Sequence, residues 1–568
     1  APLPVDLVSE APQPTCHLSP HLLVGYSDEE VALFFKRPRP LIDCTIKYSS
    51  DIQIDLVESK QKRMVLQVRG CRTKAVEYAF FHSPGQGQKL HIFANPQIPW
   101  RLYTNITRLQ ANSSATNTSY YAIPVEDQDE ILLVRCRGET KNPHLRFHSA
   151  TDGSVATSQS MLRSLWLEKI SNVLVANKRQ PLPVALGRKN PMIIHLNYDS
   201  ISRAHFRRML PKTIALLDTI RNDERKVGYE LFDFDMHHVI ADNTAPNMLP
   251  FLYGWQPKGN TSTITQSLFE AMTEAGFVTA YIQDDCHSGL AKNKQLNPAH
   301  HSPNQAWCIA KELWSYSDIS DNTRCLGNRP SSEHALEYIT SFADAYPDNA
   351  RYVFGHLADA HESSGTVVQT IDDALHRFIE SLLRRDSPDT ILLLSSDHGM
   401  RYGGWRRSQT GFLEHKLPPL YILMPRVLIN NVTAPTNKPG PFDVLHSNTH
   451  LLNTKLDLHA TLKHLIQWPL PLSGALAEPH TLGRSLFEPI PLNRTCGDAG
   501  IPEEFCVCLP WQLLSLSREQ DDADEASKKK NQAMNQLTAT GSVGRPSAER
   551  LAKLFAREIN RMVPQKKT

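Results

Sequence analysis

Ile391 to Met400 reads ILLLSSDHGM, and Pro191 to Ser200 reads PMIIHLNYDS. Each is an apolar run that stops on an aspartate. A run of this length between polar flanks predicts a strand buried on both faces, hence a parallel sheet, and places Asp199, Asp397 and His398 at strand C-terminal ends. Open α/β sheets carry their chemistry at that edge. An Asp-His pair after one strand and an Asp after another would bring hard and borderline donors into one crevice, which suits a metal ion. The expected chemistry is that of a metal-dependent hydrolase or transferase.

Working outward from these runs, strand candidates at Met192–Asn197, Tyr229–Asp233, Thr279–Asp284, Arg351–Leu357, Thr390–Ser395 and Leu420–Met424 alternate with helical segments. The helical segments are Phe206–Ile220, Thr265–Ala275, Thr370–Leu383 and Leu456–Ile466. That alternation predicts an α/β fold, a parallel sheet with helices on both faces. Before it, short alternating stretches such as Ile52–Val57, Met64–Val68 and Ile131–Val134 predict a β-rich accessory domain over residues 1–185, with two disulfides of its own. The catalytic domain is expected over 186–515. Beyond it, 516–568 reads as a charged linker and a last amphipathic helix.

Composition excludes some functions. With 61 basic and 59 acidic residues the formal charge is only +2, which gives nucleic-acid binding no support. No apolar stretch approaches the ~20 residues of a membrane span. The start at Ala1 rather than Met leaves open whether a signal peptide or membrane anchor preceded it. Ten cysteines without paired C-x-x-C spacing favour disulfides over a structural zinc site. Six N-glycosylation sequons begin at Asn105, Asn112, Asn117, Asn260, Asn431 and Asn493. The expected location is the secretory lumen, the cell surface or the outside.

The candidate nucleophile lies in ADNTAPNMLPFLYG, Ala241 to Gly254. There Thr244 opens a segment that can turn into a helix, with its hydroxyl and nearby amides facing the crevice. Taken alone, Asn243 and Thr244 read as a helix cap. The neighbouring motifs favour the catalytic reading.

These residues resemble the alkaline phosphatase and sulfatase superfamily, and within it the group called DUF229. The resemblance is carried by Tyr198-Asp199-Ser200-Ile201-Ser202-Arg203, by Asp242-Asn243-Thr244-Ala245-Pro246-Asn247, by Asp359-Ala360-His361, by Ser396-Asp397-His398-Gly399 and by Gly411 to Pro418, in that order. It implies an alkaline-phosphatase-like fold and one ion site made by Asp199, Thr244, Asp397 and His398. A second ion would be held by Asp359 and His361, with His356, His415, His446 and His459 as third-ligand candidates. The D-x-H spacing departs from the D-x-x-x-H of nucleotide pyrophosphatases. Zinc is the expected ion, one or two, with manganese or calcium as alternatives. Arg203, Asn243 and Arg401 are the substrate-binding candidates, and Ser200 is a rival nucleophile.

No C/S-x-P/A-x-R motif of type I sulfatases stands at the nucleophile position, and His398 occupies a place where many calcium sulfatases carry Asn. The reading is therefore a phosphoester hydrolase or phosphoryl-type transferase, akin to phosphodiesterases or phosphoethanolamine transferases. Its substrate would be a phosphorylated small molecule, glycan or lipid. A sulfatase-like hydrolase and a catalytically silent binding protein are the alternatives.

Overall fold

The computed structural model describes residues 191–222, 228–254, 266–284, 299–304, 329–347, 349–384, 390–430, 440–466 and 482–508, with shorter pieces of residues 16–136 and 307–326. Its centre is a six-stranded sheet. The strands are β1 (Met192–Tyr198), β2 (Tyr229–Asp233), β3 (Val278–Gln283), β4 (Arg351–Leu357), β5 (Thr390–Ser395) and β6 (Leu420–Pro425), in spatial order β3-β4-β1-β5-β6-β2. β1 lies in register between two parallel neighbours, Leu196 opposite Gly355 on one side and Leu394 on the other. Every residue of β1, β4 and β5 is buried. That is why these segments read as continuous apolar runs.

β6 alone runs antiparallel to the other strands. A parallel return needs a crossover along a sheet face. Residues 396–419 never make one. They remain at the C-terminal edge, and Leu420 re-enters the sheet opposite Ser395, where β5 ends.

The principal helices are α1 (Arg203–Met209), α2 (Pro211–Arg221), α3 (Thr244–Tyr253), α4 (Leu268–Glu274), α5 (Ser331–Ala345), α6 (Asp372–Leu383) and α7 (Lys455–Ile466). The alternation of side chains along β1 divides them between two faces. Met192, Ile194 and Leu196 pack into one core with Leu217 of α2, Ile339 and Phe342 of α5, and Leu375 and Ile379 of α6. Ile193 faces the other core, with Phe251 of α3, Phe269 of α4, and Leu458 and Leu462 of α7. Each such aliphatic or aromatic side chain contributes about 1.5–3 kcal/mol by leaving water. The expected helices on both faces are present. Pro211 cannot donate an amide proton to continue a helix, so the single helix expected over Phe206–Ile220 is two, α1 and α2, broken at Leu210. α5 was not among the expected segments.

Between 53 and 136, short strands form one four-stranded and one three-stranded antiparallel sheet. The expected domain boundary at 185, the linker and the last helix lie outside the described residues. The disulfides correct one expectation. Cys16 and Cys44 do not pair within the first 185 residues but reach Cys508 and Cys325, while Cys496 pairs with Cys506. Shared early position along the chain does not bring cysteines together, because pairing follows proximity in the fold.

A buried ion pair fixes the C-terminal stretch. The Arg494 guanidinium forks onto Asp457 of α7 at 3.0 Å for each nitrogen, and it also donates to the carbonyls of Leu452 and Leu482. Arg494→Leu leaves Asp457 charged and buried, and should lower unfolding stability by about 3–5 kcal/mol in denaturant titration. Arg384→Leu breaks the exposed pair with Glu380 and should cost no more than about 1 kcal/mol.

Candidate metal centre

Asp199 follows β1 and Asp397 follows β5, so the register of adjacent strands sets the two carboxylates side by side. The chain leaves β1 through Ser200, whose φ of 67° is the one positive value for a non-glycine among the described residues. That conformation costs on the order of 1 kcal/mol or more, and the turn makes use of it. The Ser200 amide donates to Asp397 Oδ1 at 3.1 Å, and the Ser200 hydroxyl donates to Asp199 Oδ1 at 2.8 Å. Ser200, the rival nucleophile, thus spends its proton on orienting a carboxylate.

Thr244 is the first residue of α3, with Asn243 in extended conformation as its N-cap. Its hydroxyl lies 3.4 Å from Asp199 Oδ2 and 3.5 Å from His398 Nε2, on a buried residue. The amide of Asn247, one turn on, bonds back to the carbonyls of Ala241 and Asn243 and fixes the entry to the helix.

One carbonyl orients two imidazoles. Gly399 O accepts from His398 Nδ1 at 2.8 Å and from His415 Nδ1 at 3.0 Å. A Cβ on residue 399 would sit 2.6 Å from His415 Cα, so only glycine permits this approach. With Nδ1 donating, each ring turns an Nε2 lone pair inward. His398 Nε2 is 3.3 Å from Asp397 Oδ2 and 4.0 Å from Asp199 Oδ1, and His415 Nε2 is 3.2 Å from Asp242 Oδ1. Burial, with the nearby charges of His398 and Arg406, pushes the His415 imidazole down to about 4.

His356, the residue before the last in β4, completes the group. Its Nε2 is 3.3 Å from Asp199 Oδ2, and one atom from each of Asp199, His356 and Asp397 falls within 4.8 Å of the others, all buried. Burial alone would raise the Asp199 carboxyl, but the hydrogen bond and charge of His356, then the charges of His398 and His361, hold it well below the usual range. The same contact raises His356 against the effect of its burial.

Tested against a divalent ion, this donor set fits. Asp397 Oδ2 is buried without a hydrogen-bond partner among the described residues, and His356 Nε2 faces the Asp199 carboxylate. Carboxylate and imidazole donors suit zinc or manganese, and a ring nitrogen tied to a backbone carbonyl is the usual support of a ligating histidine.

The other sequence candidates are placed as follows. Asp359 is buried after β4, beside Asp284 after β3 rather than within the first group. Burial, with the charge of Asp284 adding to it, pushes the Asp359 carboxyl up to about 8. The buried Tyr198 hydroxyl feels both carboxylates and is raised mainly by burial. His361 packs edge-on to Tyr402 at 5.4 Å, close enough for its charge to act on Asp199. Arg203 is committed to Asp233 through two bonds of 2.9 and 2.8 Å. Arg401 lies 5.4 Å over the Tyr402 ring. His446 pairs with Glu230 at the surface, and His459 donates to the Phe251 carbonyl. Asn493 is exposed, and the other sequons lie outside the described residues.

Two residues escaped the sequence reading. Asp284 carried the deciding signal, an apolar run ending on aspartate, and was taken only as a strand end. Lys455, wholly buried at the start of α7 with no hydrogen-bond partner for Nζ among the described residues, is pushed down to about 7 by burial, against the charge of Asp397.

The model of the family DUF229, "protein of unknown function", matches residues 109–548. The chain belongs to this family. A comparison with curated proteins finds no match. Among solved structures, the C-terminal periplasmic domain of EcEptC from Escherichia coli, in complex with Zn, aligns at 12% identity over 54% of this chain and 88% of that one, with a TM-score of 0.38. The soluble domain of lipooligosaccharide phosphoethanolamine transferase A from Neisseria meningitidis aligns at 11% identity over 49% and 88%, with a TM-score of 0.35. A protein in the alkaline phosphatase superfamily from Vibrio parahaemolyticus aligns at 14% identity over 59% and 80%, with a TM-score of 0.33. Likeness at these scores bears on no residue's role in this DUF229 chain. No helix among its described residues is long and apolar enough to cross a membrane.

The acid pair gives a pH prediction for metal-free protein in chelator. A carboxyl raised from 3.8 to about 8 on folding holds its proton in the native state while the unfolded chain has lost it. Stability should therefore fall as pH rises through that window. Asp359→Asn should match the parent protein near pH 4 and exceed it by a few kcal/mol near pH 8, measured by denaturant titration across pH.

Proposed function

We propose that this DUF229 protein is a metal-dependent phosphoester hydrolase or phosphoryl-type transferase with Thr244 as its nucleophile. The observation that carries this reading is the placement of the Thr244 hydroxyl. It lies at a buried helix N-terminus, within 3.5 Å of both a carboxylate whose other oxygen is held by the Ser200 hydroxyl and an imidazole whose other nitrogen is held by the Gly399 carbonyl. A threonine that merely capped the helix would not need two metal-type donors beside its oxygen.

In this proposal Asp199, Asp397, His398 and Thr244 hold the principal ion, zinc or in its place manganese or calcium, and His356 joins them. Asp359 and His361, with Asp284, form the acidic flank where a second ion would sit. A bound divalent ion supplies Lewis-acid stabilisation of the phosphoryl oxygens and favours the ionised threonine. Thr244 Oγ1 attacks phosphorus, and the proton it gives up balances the one taken by the departing ester oxygen. The new bond is Thr244 O–P and the bond broken is that between phosphorus and the departing ester oxygen, which leaves as the alcohol once protonated. The amides that open α3 face the charge that develops on the phosphoryl group. Water then attacks the phosphothreonine in hydrolysis, and a sugar or lipid hydroxyl does so in transfer. Arg401 and Asn243 are the proposed substrate contacts. Arg203, held by Asp233, acts on the frame. The interchain-like reach of the disulfides within this one chain supports an oxidising location, in the secretory lumen or outside the cell.

Elemental analysis of purified protein, paired with turnover of p-nitrophenyl phosphate, bis-p-nitrophenyl phosphate and p-nitrophenyl sulfate, tests this. Stoichiometric zinc or manganese with phosphoester turnover is expected. Thr244→Ala should keep its metal and lose turnover by roughly a thousandfold or more, whereas Asp397→Ala should lose both. Undiminished turnover in Thr244→Ala would remove the nucleophile, and sulfate turnover with calcium would move the protein to the sulfatases.

A further inference from the structure

Six large hydrophobic side chains are exposed among the described residues, and four of them border one stretch of surface. Leu33 is 65% exposed, Phe34 41%, Tyr402 43% and Phe412 44%. Phe34 and Phe35, at the end of the helix Asp28–Phe34, pack against Trp405 with ring centroids 5.1 and 5.3 Å apart. This sets Leu33 and Phe34 beside the short helices Gly403–Arg407 and Gln409–Glu414.

The part of this stretch from Arg401 to Leu413 is basic, with Asp242 pairing with Arg406 at its edge. Residues 401–413 read RYGGWRRSQTGFL, with three basic residues and no acidic one, while the helix Asp28–Phe34 has its acidic residues, Asp28, Glu29 and Glu30, at the end opposite Leu33 and Phe34. The cations ride on the aromatic rings, with Arg406 4.9 Å and Lys416 4.4 Å from the Phe412 centroid and Arg401 5.4 Å from that of Tyr402.

The stretch also borders the crevice. Tyr402 packs on His361, and Arg406 donates at 3.3 Å to Asp242, whose same oxygen faces His415 Nε2.

Half-exposed apolar side chains fringed by arginine and lysine match a bilayer interface, where the apolar groups enter the acyl boundary and the cations meet anionic headgroups. A soluble anionic sugar would use the arginines and rings but gains nothing from Leu33, which offers neither a stacking face nor a hydrogen bond. We propose that Leu33, Phe34, Tyr402 and Phe412, with Arg401, Arg406 and Arg407, form a docking face for an anionic lipid surface. Together with the proposed function, on which this clause rests, the face makes a phosphoester carried at the membrane the substrate class.

The test is sedimentation of the full metal-loaded chain with vesicles of phosphatidylcholine alone or with roughly 30% phosphatidylserine. Partitioning onto the anionic vesicles, weakened by salt, is expected. A Leu33→Glu/Arg407→Glu double variant should bind them roughly tenfold or more weakly, with turnover of a soluble p-nitrophenyl ester unchanged. Equal binding to neutral vesicles, no binding to either, or an unaffected double variant would overturn the proposal. So would capture by a heparin oligosaccharide while vesicles stay inert. Because partitioning does not require chemistry, Thr244→Ala should bind vesicles like the parent. Vesicle binding without turnover of any ester would keep the face and defeat only the enzymatic reading.

Discussion

Two buried carboxylates, Asp199 and Asp397, end neighbouring strands, and much of the surrounding structure serves to keep them there. Like charges at this separation repel strongly once removed from water, and an isolated buried carboxylate is among the costliest groups a fold can hold. The protein meets that cost with directed donors. The Ser200 amide, in a strained turn, and the His398 amide both point at Asp397 Oδ1. The imidazoles of His356 and His398 face the remaining oxygens. Removing the strain at Ser200 would release the amide and leave Asp397 less supported, so the unfavourable backbone angle and the favourable charge arrangement are one feature.

The donors sit on strand ends and a helix start, not on long loops. β1 is fixed in register by β4 and β5, and each of its faces is packed by a separate hydrophobic core. Such a frame has little freedom to relax, which is the condition for a site whose geometry precedes its ligand. The path from β5 to β6 shows the same priority. By staying at the C-terminal edge it gives up a parallel strand and brings Glu414 and His415 against Gly399. Glu414 in turn takes both nitrogens of the Arg208 fork and the Trp405 indole, so the floor of the site is tied to α1.

The parallel core was legible because burial on both faces writes itself as an uninterrupted apolar run, and the residues where those runs stop are the site. His356 was harder to read, since in RYVFGHL it is one polar residue inside a buried strand and periodicity assigns it to packing. Its meaning comes from register, which sets it opposite Asn197 and beside Asp199. Asp284 was legible by the rule that found Asp199, but only the sheet order, with β3 next to β4, brings it to Asp359. The helix Ser331–Ala345 was obscured because small and polar residues dilute the stripe of Leu336, Ile339 and Phe342. The cysteine pairings were not legible at all, because they join segments whose proximity exists only in the finished fold.

The bond between Cys16 and Cys508 spans 492 residues, which turns almost the entire described chain into a closed covalent ring. During synthesis the Cys16 thiol emerges early and its partner last, so the native bond waits until every other cysteine has been made. Early capture by a nearer thiol would leave Cys508 without its partner. Closure of this one bond is therefore a late event, possible only after the segment at 496–508 has been made and docked, and the ring records that docking has occurred.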